Sequence, residues 1–324
     1  MIKKVAILTS GGDAPGMNSA IRAIVKSAHW KGLETFLVYG GYKGLTEGNI
    51  VKSSNIEIDR YINQGGTFIY SSRFPEFKDP EVREKAKKQL IDKGIEALIV
   101  IGGDGSYHGA QLLHTIGIKT ICLPGTIDND ISSSDYTIGF FTALETIVSS
   151  VDKIRDTARS HHRCIIVEVM GRYAGDLAAH AGIATGAELI ITSENKKTVD
   201  EMIEVVDYQM NKLKKDSVII ITTEHIYDDI NSIAKEIESK TKVETRGSVL
   251  GHIQRGGTPT SMERYLSTIM GNFAIELLCE DKSGFAIGFV KNELVSESIL
   301  KALEKPKQKY FDTVEKFSKI NQEN

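Results

Sequence analysis

The sequence predicts an α/β fold with mainly parallel sheets, arranged as two similar three-layer lobes. Three observations predict it. Short apolar runs alternate with amphipathic stretches along the chain, the pattern of repeated strand–helix units. Three of the runs open into loops rich in glycine and aspartate, at the end of a strand where an open parallel sheet presents its ligand-binding edge. No low-complexity linker or shift in composition separates the units, so the 324 residues read as two closely packed lobes.

The elements follow in order. Val5–Thr9 is a strand, and Met17–Trp30 a helix with Ile21, Ile24, Val25 and Ala28 at helical spacing. Glu34–Tyr39 reads as a strand and Gly40–Gly44 as a turn, while residues 46–63 are ambiguous. Pro80–Lys93 is a charged, solvated helix. The strand Ala97–Ile101 leads through a loop to a helix starting near Ser106, and Thr120–Leu123 is the next strand. In the helix Phe141–Arg159, Leu144, Ile147, Val148, Val151 and Ile154 form a core stripe. Strands at Cys164–Val169, Glu188–Thr192, Ser217–Thr223, Thr245–Leu250 and Gly284–Val290 alternate with helices at Gly175–Ala184, Val199–Leu213, Asp228–Lys240 and 260–280.

Composition excludes several functions. Basic and acidic residues nearly balance, 40 against 43 for a net charge of −3, which argues against nucleic acid or a membrane surface as the main partner. Cys122, Cys164 and Cys279 are scattered and odd in number, so they suggest neither a metal site nor a disulfide framework and point to a reducing compartment. Met1–Val5 runs straight into a strand without a signal-peptide pattern, and no apolar run approaches the ~20 residues of a membrane helix. A soluble cytoplasmic protein is expected.

The chemistry concentrates in three loops, Ser10–Gly16, Gly102–Ser106 and Pro124–Asp130. Singly, each reads as ordinary turn chemistry. Together, each between a strand and a helical pattern, they describe a polyphosphate and metal site, because a helix N-terminus offers main-chain N–H donors and a favourable dipole to anions. The first loop is neither the GxGxxG of dinucleotide binders nor a P-loop. On the third, Asp128 and Asp130 can divide the work, one taking a proton and the other helping to hold a metal.

These loops, with Met170-Gly171-Arg172 and Gly251-His252-Ile253-Gln254-Arg255-Gly256-Gly257, resemble in order and spacing the signatures of bacterial-type ATP-dependent 6-phosphofructokinases. The resemblance covers nearly the whole chain and fades in its last residues. It implies phosphorylation of the 1-hydroxyl of fructose 6-phosphate by ATP, giving fructose 1,6-bisphosphate and ADP, the committed step of glycolysis. It also implies an active site in a cleft between a nucleotide-binding lobe (1–139 with about 252–305) and a sugar-phosphate-binding lobe (140–251 with about 306–324).

By this resemblance Asp128 accepts the proton of the sugar hydroxyl, beside Thr126 and Ile127. Asp104 anchors Mg²⁺ with Asp130, for which a plain turn role stays open. Gly12, Arg73, Phe74, Gly103, Asp104, Gly105 and Ser106 take the nucleotide, and Arg172 with Arg73 meets the charge of the transferred phosphoryl group. Arg163, Arg246, His252 and Arg255 clamp the sugar phosphate, with Met170, Gly171 and Glu224 on the sugar. Arg163 and Arg246 are expected to reach into a neighbouring subunit, which implies a homotetramer with shared active and effector sites. Gly105 and Gly125 stand where pyrophosphate-using relatives commonly carry Asp and Lys, so ATP is the expected donor. Arg22, Arg155, Gly186, Glu188, Lys212, Lys214 and Lys215 match an effector pocket. Lys26 and Asn55 replace Arg there, which predicts a weak response to phosphoenolpyruvate and ADP.

Two other classes compete. A dinucleotide-dependent oxidoreductase fits the α/β alternation but not the missing GxGxxG. A non-catalytic sugar-phosphate sensor is disfavoured by the presence of Asp104, Thr126, Asp128 and Arg172 together. Lipid and NAD kinases share the GGDG segment but lack the later motifs.

Overall fold

The computed structural model describes residues 2–304 and 311–323. Two compact units emerge, Met1–Thr142 with Arg255–Lys307, and Ala143–Gln254 with Gln308–Asn324. The expected second crossing at about 305–306 lies outside the described residues.

The first unit opens with β1 (Lys4–Ser10), α1 (Met17–Trp30), β2 (Glu34–Val38), α2 (Gly41–Glu47), β3 (Ile50–Lys52) and α3 (Pro80–Asp92). It continues with β4 (Ala97–Gly102), α4 (Asp104–Thr115), β5 (Lys119–Thr126) and the two-residue β6 (Ile138–Gly139). Helix α5 (Phe140–Ser160) starts in this unit and carries the chain into the second. There β7 (Cys164–Val169), α6 (Asp176–Thr185), β8 (Leu189–Ile191), α7 (Val199–Val206), β9 (Val218–Thr223), α8 (Ile230–Thr241) and β10 (Thr245–Val249) follow. The chain then returns with α9 (Ser261–Cys279), β11 (Phe285–Val290), β12 (Glu293–Ser298) and α10 (Ile299–Glu304), and α11 (Phe311–Gln322) belongs to the second unit.

The first sheet runs β12-β11-β5-β4-β1-β2-β3, with β6 beside the end of β5. Its middle is parallel and its edges, β3 and β12, are antiparallel. The central strands are apolar on both faces because helices cover both. On one face Leu8, Leu98, Val100 and Cys122 pack with Tyr42, Leu45, Leu90 and Tyr107 of α2, α3 and α4. The alternate residues, Ile7, Ile99, Ile101 and Leu123, are just as buried on the other face. In the helices α1 and α9, Gly271 lets the two approach, since a Cβ there would lie 2.8 Å from that of Ala23.

The second sheet, β10-β7-β9-β8, is parallel throughout. Cys164, Ile166, Val218 and Ile220 form its core with Met202, Val206, Ile233 and Ile237 of α7 and α8. Helix α11 docks at β8, where Ser318 Oγ accepts from the Ile190 N–H at 3.2 Å and the Asn321 amide donates to the Ala187 carbonyl at 2.9 Å.

Three local expectations change. Residues 40–44 are not a simple turn: α2 forms because buried Tyr42 stacks on Phe77, 4.3 Å between centroids, and a left-handed Gly48 ends the helix. Helix α4 starts at Asp104, two residues earlier than expected. The expected Val199–Leu213 helix is α-helical only to Val206 and continues as a π-helical stretch, Asp207–Lys212. There the Asn211 amide donates to both Asp207 Oδ1 (2.7 Å) and the Thr241 carbonyl (2.9 Å). Among the described residues no helix is long and apolar enough to cross a membrane.

Candidate active site

The first unit brings its three glycine–aspartate loops to one edge by strand register. Ser10 pairs with Gly102, and Gly102 with Pro124, so the loops after β1, β4 and β5 leave the sheet side by side. Helices α3, α7, α8 and α9 have their first N–H groups capped by Asp79, Thr198, Asp229 and Thr260. Helices α1 and α4, which follow the first two loops, start instead from Gly16 and Gly103, without a side-chain cap. Within these first turns the Met17 N–H donates to the Ala14 carbonyl at 3.3 Å and the Ser106 N–H to the Gly103 carbonyl at 2.9 Å, and α2 and α6 likewise start from glycines without a side-chain cap.

The loop after β5 holds Asp128 firmly. Thr126 and Asp128 are each 7% exposed. Thr126 Oγ1 accepts from the Asp128 N–H at 3.1 Å and lies 3.3 Å from Asp128 Oδ2. Thr137 Oγ1 donates to the Thr126 carbonyl at 2.6 Å. Between the two aspartates, Asn129 adopts a left-handed conformation, φ 53°, which asparagine tolerates well. Its side chain donates to the Asp135 carbonyl and accepts from the Thr137 N–H, each at 3.0 Å, closing the loop. Asp130 is half-buried. The Ile127 side chain is wholly buried, so this residue presents only main chain to the loop surface.

In the second loop Asp104 opens α4 with its side chain 52% exposed, 3.6 Å from His108 Nδ1. Gly103 takes an extended conformation as N-cap. Nothing lies within 4 Å of where a Cβ on Gly105 would stand. Gly125 is the opposite case, because its Cβ would fall 2.9 Å from Ile101 Cγ2 and 3.0 Å from the Gly102 nitrogen. Core packing, besides donor choice, therefore requires glycine at 125. Ser106 is only 3% exposed, its side chain packed towards the main chain of Gly102, so its hydroxyl is turned away from solvent. Tyr42 supports it from below, its hydroxyl donating to the Ser106 carbonyl at 2.6 Å. Arg73 is exposed, whereas the Phe74 ring packs against the core near Phe77.

Among the described residues no group of three or more His, Cys, Asp or Glu side chains comes together to hold a metal ion. An exposed Asp104 still fits Mg²⁺, which takes one or two carboxylates and completes its shell with phosphate oxygens and water.

Arg255, in the first unit, lies along the first loop. A Cβ on Gly12 would stand 2.7 Å from its Nη1, which donates to the Asp13 carbonyl at 3.2 Å. Gly12 is thus the surface on which this guanidinium rests.

The remaining sugar-side candidates lie in the second unit. Gly171 and Arg172 both have positive φ, 143° and 56°. Glu224 stabilises this turn, its Oε1 accepting from the Gly171 N–H (3.2 Å) and the Arg172 N–H (2.9 Å). Sequence reasoning gave Glu224 a sugar hydroxyl; the structure adds a role in shaping the turn. Gln254, which that reasoning passed over, accepts from the Met170 N–H at 3.0 Å and donates to the Gly251 carbonyl at 2.9 Å, tying the two motifs together. His252 is exposed beside it. Arg163 and Arg246 share Glu244, at 2.8 and 2.7 Å, and Arg246 also pairs with Glu238 at 2.6 Å. The Arg163 hydrogen bond holds the Glu244 carboxyl below its usual range.

The effector candidates fall into two groups. In the first unit Arg22 and Lys26 converge on Asp59, at 2.7 and 2.6 Å, and the Lys26 hydrogen bond, with that of Arg22, lowers the Asp59 carboxyl. Arg60 stacks over Tyr61, and Asn55 is exposed. In the second unit Arg155 donates to the Thr185 carbonyl at 2.9 Å and lies 3.7 Å from Glu188, beside left-handed Gly186. Lys215 lies 4.0 Å from Glu188, and Lys212 and Lys214 are exposed.

Uncapped helix N-termini, a buried loop aspartate and arginine-bearing turns define an α/β protein built to handle phosphate groups. A family profile described as phosphofructokinase matches residues 4–278. The chain is 56% identical over 306 residues to the ATP-dependent 6-phosphofructokinase of Mycoplasmopsis pulmonis, covering 94% of each. It is 54% identical over 324 residues to that of Mycoplasma mobile, covering 99% of this chain and 100% of the relative. A solved phosphofructokinase structure from Saccharomyces cerevisiae superposes with a TM-score of 0.88 at 33% identity, covering 99% of this chain and 47% of the yeast chain. The chain belongs to the phosphofructokinase family.

One buried carboxylate was not singled out from sequence. Glu263, in the first turn of α9, is 0% exposed. The Thr-x-x-Glu spacing with Thr260 marks a helix start, but nothing local announces the burial. Desolvation raises its carboxyl to about 7, against the lowering effect of N–H groups of Gly139 and Thr142. The folded chain therefore keeps this proton over a window, from the ordinary 4.5 to about 7, in which the unfolded chain has lost it. The associated stability is complete below that window and declines as pH rises through it. Urea midpoints measured across the window should fall with pH more steeply in the parent than in Glu263→Gln; parallel curves would contradict the shift.

Proposed function

We propose that this chain transfers the γ-phosphoryl group of ATP to the 1-hydroxyl of fructose 6-phosphate, releasing fructose 1,6-bisphosphate and ADP, the committed step of glycolysis. Its membership of the phosphofructokinase family and the names of its relatives support this reading. The observation that carries it is the Asp128 carboxylate, fixed by Thr126 at the end of a buried parallel strand.

In this reading Asp128 takes the proton from the attacking hydroxyl as the oxygen bonds to phosphorus. The loop fixed by Thr126, Asn129 and Thr137 keeps the acceptor oxygen in place, so little reorganisation accompanies the transfer. The first-turn N–H groups of α1 and α4 receive phosphate oxygens, and Arg172 and Arg73 meet the charge spreading over the transferred group. A Mg²⁺ ion held by Asp104, with Asp130 as the second candidate, would neutralise charge on the donor phosphates. Arg163, Arg246, His252 and Arg255 bind the sugar phosphate, while Glu224 holds the Arg172 turn.

Asp128→Asn keeps the shape of the site and removes the base. We expect kcat to fall by about 10²–10⁴-fold with little change in KM for either substrate. A variant retaining most of its kcat would remove the assignment.

The donor is ATP, because the open space at Gly105 admits a nucleotide and the crowded Gly125 admits no lysine. The assay that tests the function supplies fructose 6-phosphate and Mg²⁺ with either ATP or pyrophosphate. Turnover is expected with ATP; turnover with pyrophosphate alone would refute the donor, and none with either would refute the function. In that assay millimolar phosphoenolpyruvate or ADP should shift half-saturation little, since Asp59 already engages Arg22 and Lys26. A large shift abolished by Arg155→Ala would overturn this.

The working unit is a homotetramer in which Arg163 and Arg246 complete a neighbour's site. Mixing Arg246→Ala with Asp128→Asn subunits should restore activity through hybrid sites. No recovery despite demonstrated subunit exchange would show that these arginines act within their own chain.

A further inference from the structure

Glu263 makes contacts that the proposed mechanism does not use. Its Oε1 accepts from the Gly139 N–H at 2.7 Å, and its Oε2 accepts from the Thr142 N–H at 3.1 Å and the Thr142 hydroxyl at 3.2 Å. Thr142 Oγ1 in turn accepts from the Thr260 N–H at 3.3 Å, and Thr260 Oγ1 accepts from the Glu263 N–H at 3.2 Å. The first turns of α5 and α9 are thereby locked to each other. Above about pH 7 the carboxyl is ionised, and the opening N–H groups of a helix favour that charge.

The knot reaches the loop that carries Asp128. Gly139 belongs to β6, whose two residues pair with Gly125 and Thr126. Thr137, just before β6, donates its hydroxyl to the Thr126 carbonyl. At Gly139, φ 115°, a Cβ would fall 2.6 Å from Ala14 Cβ and 3.1 Å from Ile127 Cγ2. The Glu263 side chain also packs against the first loop, where a Cβ on Gly16 would lie 2.8 Å from Glu263 Cγ. A single buried side chain thus braces both the loop entering α1 and the strand beside Thr126.

We propose that Glu263 is a positioning residue for the Asp128 loop: its carboxyl group fixes the start of α5 and, through Gly139, the short strand against which Thr126 is held. It does not touch substrate. The inference rests on the reading of Asp128 as the base and extends it by naming what keeps that base in register.

Glu263→Gln is nearly isosteric but presents an NH₂ group where one oxygen accepted N–H bonds, so one side of the knot is lost. We expect kcat per folded enzyme to fall roughly 10- to 100-fold, the scale of a small misplacement at a reacting centre. The deciding measurement is a double-mutant cycle with Asp128→Asn, with the folded fraction fixed by thermal unfolding. If Glu263 acts by placing Asp128, its substitution should cost little further activity once the base is gone.

Parent-like kcat in folded Glu263→Gln would overturn the proposal. So would an equal fractional loss in both backgrounds, which marks a purely structural residue. Should Glu263→Gln fail to fold, Thr142→Val removes one of the carboxylate's bonds and enters the same cycle. A smaller loss confined to the Asp128 background is then expected, and unchanged kcat overturns the proposal. If Asp128→Asn alone keeps most of its activity, the base assignment fails first and takes this inference with it.

Discussion

Parallel pairing of β1, β4 and β5, buried on both faces, is the constraint on which the first unit depends. A parallel pair cannot be joined by a tight hairpin, so each connection crosses the sheet as a helix and each strand ends at the same edge. Register then does the rest: Ser10, Gly102 and Pro124 stand abreast, and three loops distant in sequence open together. The apolar residues that secure the sheet, such as Leu8, Val100 and Cys122, are therefore also what bring Gly12, Asp104 and Asp128 to one edge.

Close approach is the second theme. Arg255 can lie along the first loop because residue 12 has no side chain. Residue 125 is similarly confined, by Ile101 and by the main chain of β4. Glycine in these loops does more than permit turns; it removes atoms from places that neighbouring groups already occupy. Gly105 differs in facing open space, so what excludes a side chain there is not the protein itself.

Much of this was legible in the sequence, for physical reasons. Strands buried on both faces are continuous apolar runs, and helices such as α5 carry an unbroken stripe at helical spacing, so both can be read locally. The loop chemistry was legible because glycine and aspartate recur at strand ends. Contacts between distant residues were not. Nothing near Glu263 states that its carboxylate reaches Gly139, 124 residues away. Likewise Gln254 gives no local sign that it accepts from Met170. Residues 40–44 misled because three glycines suggest a turn, whereas burial of Tyr42 against Phe77 favours a helix. The hairpin partner β12 is half-exposed along an edge and lacks the apolar signal of the interior strands.

The carboxylate of Glu244, lodged between Arg163 and Arg246, has a consequence for charge balance. The two guanidinium groups are held apart by an anion already present, which spares them mutual repulsion. In the sugar-phosphate role proposed for this pair, an arriving dianion performs an ion exchange: either Glu244 yields its place, or each arginine divides its donors between two acceptors. The planar five-donor fork allows that division, and a lysine ammonium would not reproduce it. The exchange adds less new positive–negative contact than capture by a bare pair. Occupancy of such a site is therefore governed by how well oxygen geometry matches the forks, more than by how much charge the ligand brings.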